Sequence, residues 1–354
     1  MVIFFIFKPK VYDNNTIVLG ASLPKTGIMK DWGRSVEIGS NAYFKFVNER
    51  GLLPNGKKIK FITLDDKYEP DLTLENTKKL LQRDDLFALY GYVGTPTVKN
   101  VLRIVIDSKI PFIAPFSGAS FLRNLNCSNV VNFRSSYKEE VNKIVDYLYN
   151  EKNIRDFAVF YQNDLYGEEG YVSLISALKK RDIKLVGEGT YKRNTLSIKH
   201  AFKEIKRSNP QAVLLVGSYK ANSLFIKRAM EDEDLKDVIF PNISFSNADG
   251  MIKNLNLDTL KNTIFSEVVP SSNLYGIDVI DEYKYLMKRY YPNEPLGFIS
   301  LESFLIAKNI VKAIKDANNY LTYNNFLDKL KNTQLLNKVY LFKYENSNFV
   351  EIKY

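Results

Sequence analysis

The chain has 354 residues, 45% of them hydrophobic and 25% charged, with a formal net charge of +10. That length allows two globular domains, and the composition allows a sizeable core. The excess lysines are scattered among 40 acids with no basic run or tail, so no nucleic-acid partner is expected. One cysteine, Cys127, and one histidine, His200, exclude an internal disulfide and are poor material for a zinc site or a Cys-His nucleophile.

In chain order, the first feature is the apolar run VIFFIF at residues 2–7. It is too short to span a membrane and reads as the tail of an export or anchor segment, with a polar spacer to residue 15. Residues 17–27, IVLGASLPKTG, then form a buried strand that breaks into a glycine loop, and a helical pattern runs from Arg34 to Arg50. Strand, glycine loop and helix is how nucleotide sites begin. The spacing of Gly20 and Gly27 fits neither phosphate fingerprint, and Pro24 removes a backbone N–H that could have held phosphate.

Further strand-like runs occupy 59–64, 87–93, 111–116, 131–135, 157–161, 184–189, 212–217, 238–245 and 263–269. Amphipathic stretches separate most of them; in one, Val36, Ala42, Tyr43, Phe46 and Val47 share a stripe. Apolar strands alternating with helices predict α/β architecture, with parallel sheets covered on both faces. A seam falls near 135–138. After Pro270 the pattern turns helical over 275–290, 296–315 and 324–331, and strand-like runs at 338–344 and 349–354 close the chain. The expected division is a spacer at 1–15, a first lobe of 16–135 plus 268–335, and a second of 136–267 plus 336–354.

In doubly wound sheets, ligands sit beyond the carboxyl ends of the strands. The segments there are GASLPKTGIMKDWG, GYVGTPTVKN, APFSGASFLR, YQNDLYGEEG and VGSYKAN. They are rich in glycine, hydroxyls and aromatics, which hold a small polar ligand without chemistry. None pairs a nucleophile with a base. Asp65-Asp66 reads as a turn cap, because neighbouring strand residues point to opposite faces. No enzyme, cofactor or metal is expected.

Residues 17–66, with GYVGTPT, IPFIAPFSGASFLR, FRSSY, FAVFYQNDLYGEEG, YKRNTLSI and LESFLIAK, resemble the periplasmic solute-binding proteins of the branched-chain amino acid type. The resemblance covers the chain after Thr16. It implies two Rossmann-like lobes closing on a small ligand, as a monomer in the bacterial periplasm that serves the membrane permease of an ABC importer. The alternative is a ligand-sensing module of a signalling system; with no membrane-length apolar run after residue 354, the free binding protein is expected.

The resemblance also implies site residues. Thr95 stands where a hydroxyl meets the ligand. Phe116, Ser117 and Gly118 occupy a contact loop, with Gly118 replacing the family's threonine. Trp32 walls the side-chain pocket at the cleft rim, while Tyr166 and Tyr219 close from the second lobe. One departure matters most. Amino-acid binders of this family carry a glutamate after the strand that is VIFPNISF here, and the stretch around Ser244 has no acid. Either Glu267 supplies the charge, as more than an exposed strand-end acid, or the ligand carries no ammonium. The second reading is preferred, because a desolvated ammonium without a counter-ion is costly.

Overall fold

The computed structural model describes residues 15–123, 125–318, 320–333 and 336–354. The expected export segment at residues 2–7 lies outside them.

The first sheet is parallel throughout. It contains β1 (Thr16–Leu23), β2 (Lys58–Asp65), β3 (Leu86–Tyr90), β4 (Phe112–Ile113) and β5 (Val130–Val131), in the order β2-β1-β3-β4-β5. Central β1 is buried from Ile17 to Leu23, which is why it reads as a continuous apolar run. Helices α1 (Lys30–Arg50), α2 (Pro70–Leu81) and α3 (Thr95–Ser108) join these strands. Helix α1 starts one turn earlier than its apolar stripe suggests, which places Trp32 in its first turn, and Gly51 in the left-handed region ends it.

The chain then enters a second unit: α4 (Tyr137–Glu151), β6 (Phe157–Gln162), α5 (Leu165–Lys179), β7 (Leu185–Tyr191), α6 (Lys199–Arg207), β8 (Ala212–Val216), α7 (Tyr219–Met230), β9 (Phe240–Asn242), α8 (Ala248–Ile252), α9 (Leu257–Leu260) and β10 (Thr263–Glu267). A capping box between Ser136 and Glu139 starts α4, fixing where the first crossover stops. Helices α10 (Asp278–Tyr290), α11 (Phe298–Ala317) and α12 (Tyr323–Lys331) return to the first unit. Finally β11 (Tyr340–Glu345) and β12 (Asn348–Glu351) extend the second sheet, giving β12-β11-β10-β9-β8-β6-β7. Its β10-to-β7 portion is parallel, and the last two strands are antiparallel. The chain therefore passes between the lobes three times.

The apolar helix α11 packs closely on α1. A Cβ at Gly39 would lie 2.2 Å from the Ser300 carbonyl oxygen, so only glycine permits that approach.

Three strands are shorter than their apolar runs. Run 111–116 forms a ladder only at Phe112–Ile113, since Ala114 turns out of the sheet at φ +49° and Pro115 has no N–H. Run 131–135 keeps only the end of β5, and 238–245 pairs over Phe240–Asn242 before Ser244–Ser246 coil into a 3₁₀ turn. The lost residues form the walls of the space between the lobes. Among the described residues, no helix is long and apolar enough to cross a membrane.

Candidate ligand-binding site

The carboxyl ends of β1, β3 and β4 face those of β6, β8 and β9, and the predicted residues sit on the connections beyond them. Trp32 lies in the first turn of α1, Thr95 opens α3, and Phe116 to Gly118 follow β4. Tyr166 is in the first turn of α5, Tyr219 opens α7, Ser244 starts the 3₁₀ turn and Glu267 ends β10. All are buried. Helices α3, α5 and α7 thus begin at the junction, where their free N–H groups favour negative charge.

A group of hydroxyls marks one side. Thr95 Oγ1 lies 2.8 Å from Ser117 Oγ and 3.3 Å from the Tyr137 hydroxyl. Gly118 explains how Tyr137 gets there: a Cβ at position 118 would lie 2.4 Å from Tyr137 Cδ1. The hydroxyl that a threonine would bring is absent, and the tyrosine ring that fills its place carries its own hydroxyl to Thr95.

The middle is aromatic. The Phe245 ring, from the second lobe, stacks on Trp32 at 4.7 Å and 28°, and Trp32 Nε1 donates to the Phe245 carbonyl at 3.1 Å. Phe116 meets Trp32 edge-on at 5.7 Å, Tyr166 meets Phe245 at 4.9 Å, and Tyr137 meets Tyr166 at 5.5 Å. The Arg134 guanidinium lies 5.7 Å from the Trp32 ring. The expected rim position of Trp32 is therefore corrected: the indole is 0% exposed, because Phe245 reaches across and covers it. The Tyr166 and Tyr219 hydroxyls are also buried. Ser246 lies near the first and Asp31 near the second, but neither contact forms a well-directed hydrogen bond.

Ser244 and Glu267 belong to a different cluster, at the crossovers. Ser244 donates its N–H and its hydroxyl to the Glu140 carboxylate, at 2.7 and 2.9 Å, and accepts from Arg134 Nη2 at 2.6 Å. Ser266 also donates to Glu140, at 2.5 Å, and Arg134 Nε lies 3.3 Å from Glu302. Glu267 is 4% exposed, so of the two possibilities it is a buried acid and not a solvent-exposed strand-end one. Burial pushes its carboxyl well up; Asp249 and Glu140 add to the push and Arg134 opposes it.

Polar contacts join the lobes at the edge. Glu69 accepts from Arg193 Nη2 at 2.8 Å and from Asn194 Nδ2 at 2.6 Å. Glu169 accepts from the Ser120 hydroxyl at 2.8 Å, and Gln162 Nε2 donates to the Tyr68 hydroxyl at 3.4 Å. Asp65 and Asp66 part as alternation requires. Asp65 accepts from the Lys25 and Lys67 N–H groups, whereas Asp66, pushed up to about 6 by burial, accepts from Ser22 and the Tyr68 N–H. His200 is exposed on α6. Among the described residues, no three His, Cys, Asp or Glu side chains gather as a metal site.

Phe245, Tyr137, Tyr68 and Arg134 join the site without having been singled out in the sequence. Phe245 was masked by its place in an apolar run. The strand-end rule that selected the other loops would have found it had that run been ended at Asn242.

A family model described as periplasmic binding protein matches residues 16–345. A solved structure of a possible leucine/isoleucine/valine-binding protein from Rhodopirellula baltica is 28% identical, covers 96% of both chains and has a TM-score of 0.89. A fatty acid ABC transporter substrate-binding protein from Thermomonospora curvata (17% identical, 98% and 93% covered, TM-score 0.86) shares the fold. So does a leucine-binding protein from Thermotoga maritima (13% identical, 95% and 98% covered, TM-score 0.82). A curated amino acid binding protein of Pseudomonas aeruginosa is 22% identical over 217 residues, 61% of this chain. The chain spans 57% of that relative's length.

Proposed function

The chain belongs to the periplasmic binding protein family, as a type I member of the branched-chain amino acid kind, and from that premise we propose that it binds a small, ammonium-free carboxylate or amide between its lobes. It works outside the cytoplasm and delivers this ligand to the membrane permease of an ABC importer. The thermodynamic logic is that of a hinged trap: ligand contacts made by both lobes favour the closed form.

The observation that carries the ligand reading is the ring of Phe245 on Trp32. It stands after β9, where the amino-acid binders that the sequence resembles carry an acid. The hydroxyls of Thr95, Ser117 and Tyr137, at the start of α3, suit a carboxylate or amide oxygen. An ammonium moved into the aromatic space without a counter-ion would lose several kcal/mol of hydration.

Paired titrations test this. Leucine against isocaproate, its deaminated analogue, and valine against isovalerate differ only in the ammonium. Trp32 emission and thermal unfolding report binding, and small-angle scattering reports lobe closure. The deaminated acids are expected to bind at least about a hundredfold more tightly than their amino acids. Tight binding of the amino acids alone would refute the ammonium-free ligand. Failure of every small acid, amide and amino acid to close the lobes would refute the solute-binding reading itself.

A further inference from the structure

Resting on that reading, we propose that Phe245 is a built-in stand-in for part of the ligand: binding exchanges its ring for a flat, unsaturated group of the solute, which then stacks on Trp32. The solute is thus a planar aromatic or similarly conjugated acid or amide.

The place the ring fills has the shape of a slot. Phe245 lies nearly parallel to Trp32 (4.7 Å, 28°), meets Tyr166 edge-to-face (4.9 Å, 62°) and has Tyr68 beyond (6.2 Å, 36°). Trp32 and Tyr68 belong to the first lobe, and Tyr166 and Phe245 to the second. All four are at most 1% exposed. Offset stacking and edge-to-face contact favour a thin π-system over a saturated ring, which is thicker and has no quadrupole.

The backbone carrying Phe245 is held by contacts within the second lobe and from Glu140 that do not involve its ring. Ser244 is tied to Glu140 through its N–H and hydroxyl. Ser246 N–H donates to the Ile243 carbonyl at 2.8 Å, and Asn222 Nδ2 donates to Ser246 Oγ at 3.0 Å. When the lobes part, rotation about the Phe245 side-chain bonds vacates the slot without moving the turn.

The slot is edged by donors that lack well-directed acceptors. The hydroxyl of Tyr166, whose ring meets Phe245, and Nη1 of Arg134, whose guanidinium lies 5.7 Å from the Trp32 ring, are buried in this state. Buried donors of this kind are rare, and oxygen atoms on the edge of a planar solute would meet them. Tyrosine hydroxyls and a guanidinium donate to oxyanions and carbonyls, and a guanidinium repels an ammonium.

The test uses the whole chain and its Phe245→Ala variant, with Phe245→Leu as a second variant that keeps the bulk but not the π-face. The probes are benzoate and cyclohexanecarboxylate, which have the same carbon count and differ in flatness. In the native chain, benzoate is expected to quench Trp32 emission, raise the melting temperature and bind at least about tenfold more tightly than cyclohexanecarboxylate. In Phe245→Ala, and to a lesser degree in Phe245→Leu, benzoate is expected to bind about tenfold more tightly than in the native chain, because no internal ring competes. Equal binding of the two probes by the native chain would overturn the proposal. Benzoate binding unchanged or weakened in both variants would do the same, as would no binding of benzoate to any of the three chains. If isovalerate closes the lobes while benzoate does nothing, this inference falls and the solute-binding reading stands.

Discussion

Trp32 and Phe245 meet twice across the junction between the lobes, ring against ring at 4.7 Å and indole N–H to backbone carbonyl at 3.1 Å. The two residues are 213 positions apart and belong to different lobes, so the pair acts as a clasp. Trp32→Phe keeps an aromatic ring but leaves the Phe245 carbonyl without its donor. A buried acceptor left unpaired costs about 1–3 kcal/mol. Thermal unfolding of Trp32→Phe should therefore shift down by several degrees. An unchanged melting curve would mean that this contact does not hold the lobes together.

Gly118 tests the packing beside that clasp. Alanine there would put a methyl 2.4 Å from Tyr137 Cδ1 and 2.7 Å from the Tyr137 N–H nitrogen, and the backbone atom cannot yield as a flexible side chain would. Overpacking of this kind costs about 1–3 kcal/mol. It should also push the Tyr137 hydroxyl away from Thr95, so Gly118→Ala should weaken solute binding by more than it lowers stability. Denaturant midpoints and ligand titrations on the same preparation separate the two effects.

Much of this architecture was legible in the sequence, and the exceptions share one cause. The alternation of apolar strands and amphipathic helices gives both parallel sheets, since periodicity is a local property. Where Ala114 and Pro115 interrupt the ladder, and where Ser244 to Ser246 coil, an apolar run continues past the end of its strand; Phe245 buries against Trp32 of the opposite lobe instead of a neighbouring strand. Periodicity cannot distinguish those two kinds of burial. The same ambiguity hid Phe245 inside a strand and placed Trp32 at a rim. Tyr137 was hidden differently: its place in the site depends on Gly118 lacking a side chain, which is a relation between two residues and not a motif.

The contact of Glu69 with Arg193 and Asn194 predicts a salt-sensitive latch. Its side chains are partly exposed, Arg193 at 24% and Glu69 at 42%, so the pair contributes only about 0.5 kcal/mol. Glu69→Gln should leave global unfolding almost unchanged while raising the fraction of open molecules. Acrylamide quenching of Trp32 reads that fraction directly, because the closed form buries the indole. The native chain should be quenched modestly more as salt rises, and Glu69→Gln should be quenched at every salt about as much as the native chain is at high salt, a change of about twofold in the open fraction. Identical salt responses in the two proteins would remove the latch.

The crossover cluster predicts a pH dependence. Glu302 on α11 is fully buried beside Arg134, with Glu140 also near. Burial is the larger influence and pushes its carboxyl up to about 7; Arg134 pulls it back and Glu140 adds to the push. A carboxyl raised in the folded chain binds its proton more tightly there than in the unfolded chain. Its ionisation is therefore a penalty on folding that is absent below the ordinary glutamate range, near pH 4.5, grows as pH rises to about 7, and stays constant above. Glutamine has the same shape and no titration, so Glu302→Gln should gain on the native chain across that window, by up to about 3 kcal/mol. Urea unfolding at several pH values measures the gap between the two proteins. A gap that widens from acid to neutral pH is the expected result. A gap that stays flat would mean that Arg134 keeps Glu302 ionised throughout, as a permanent buried ion pair within the first lobe beside the crossovers.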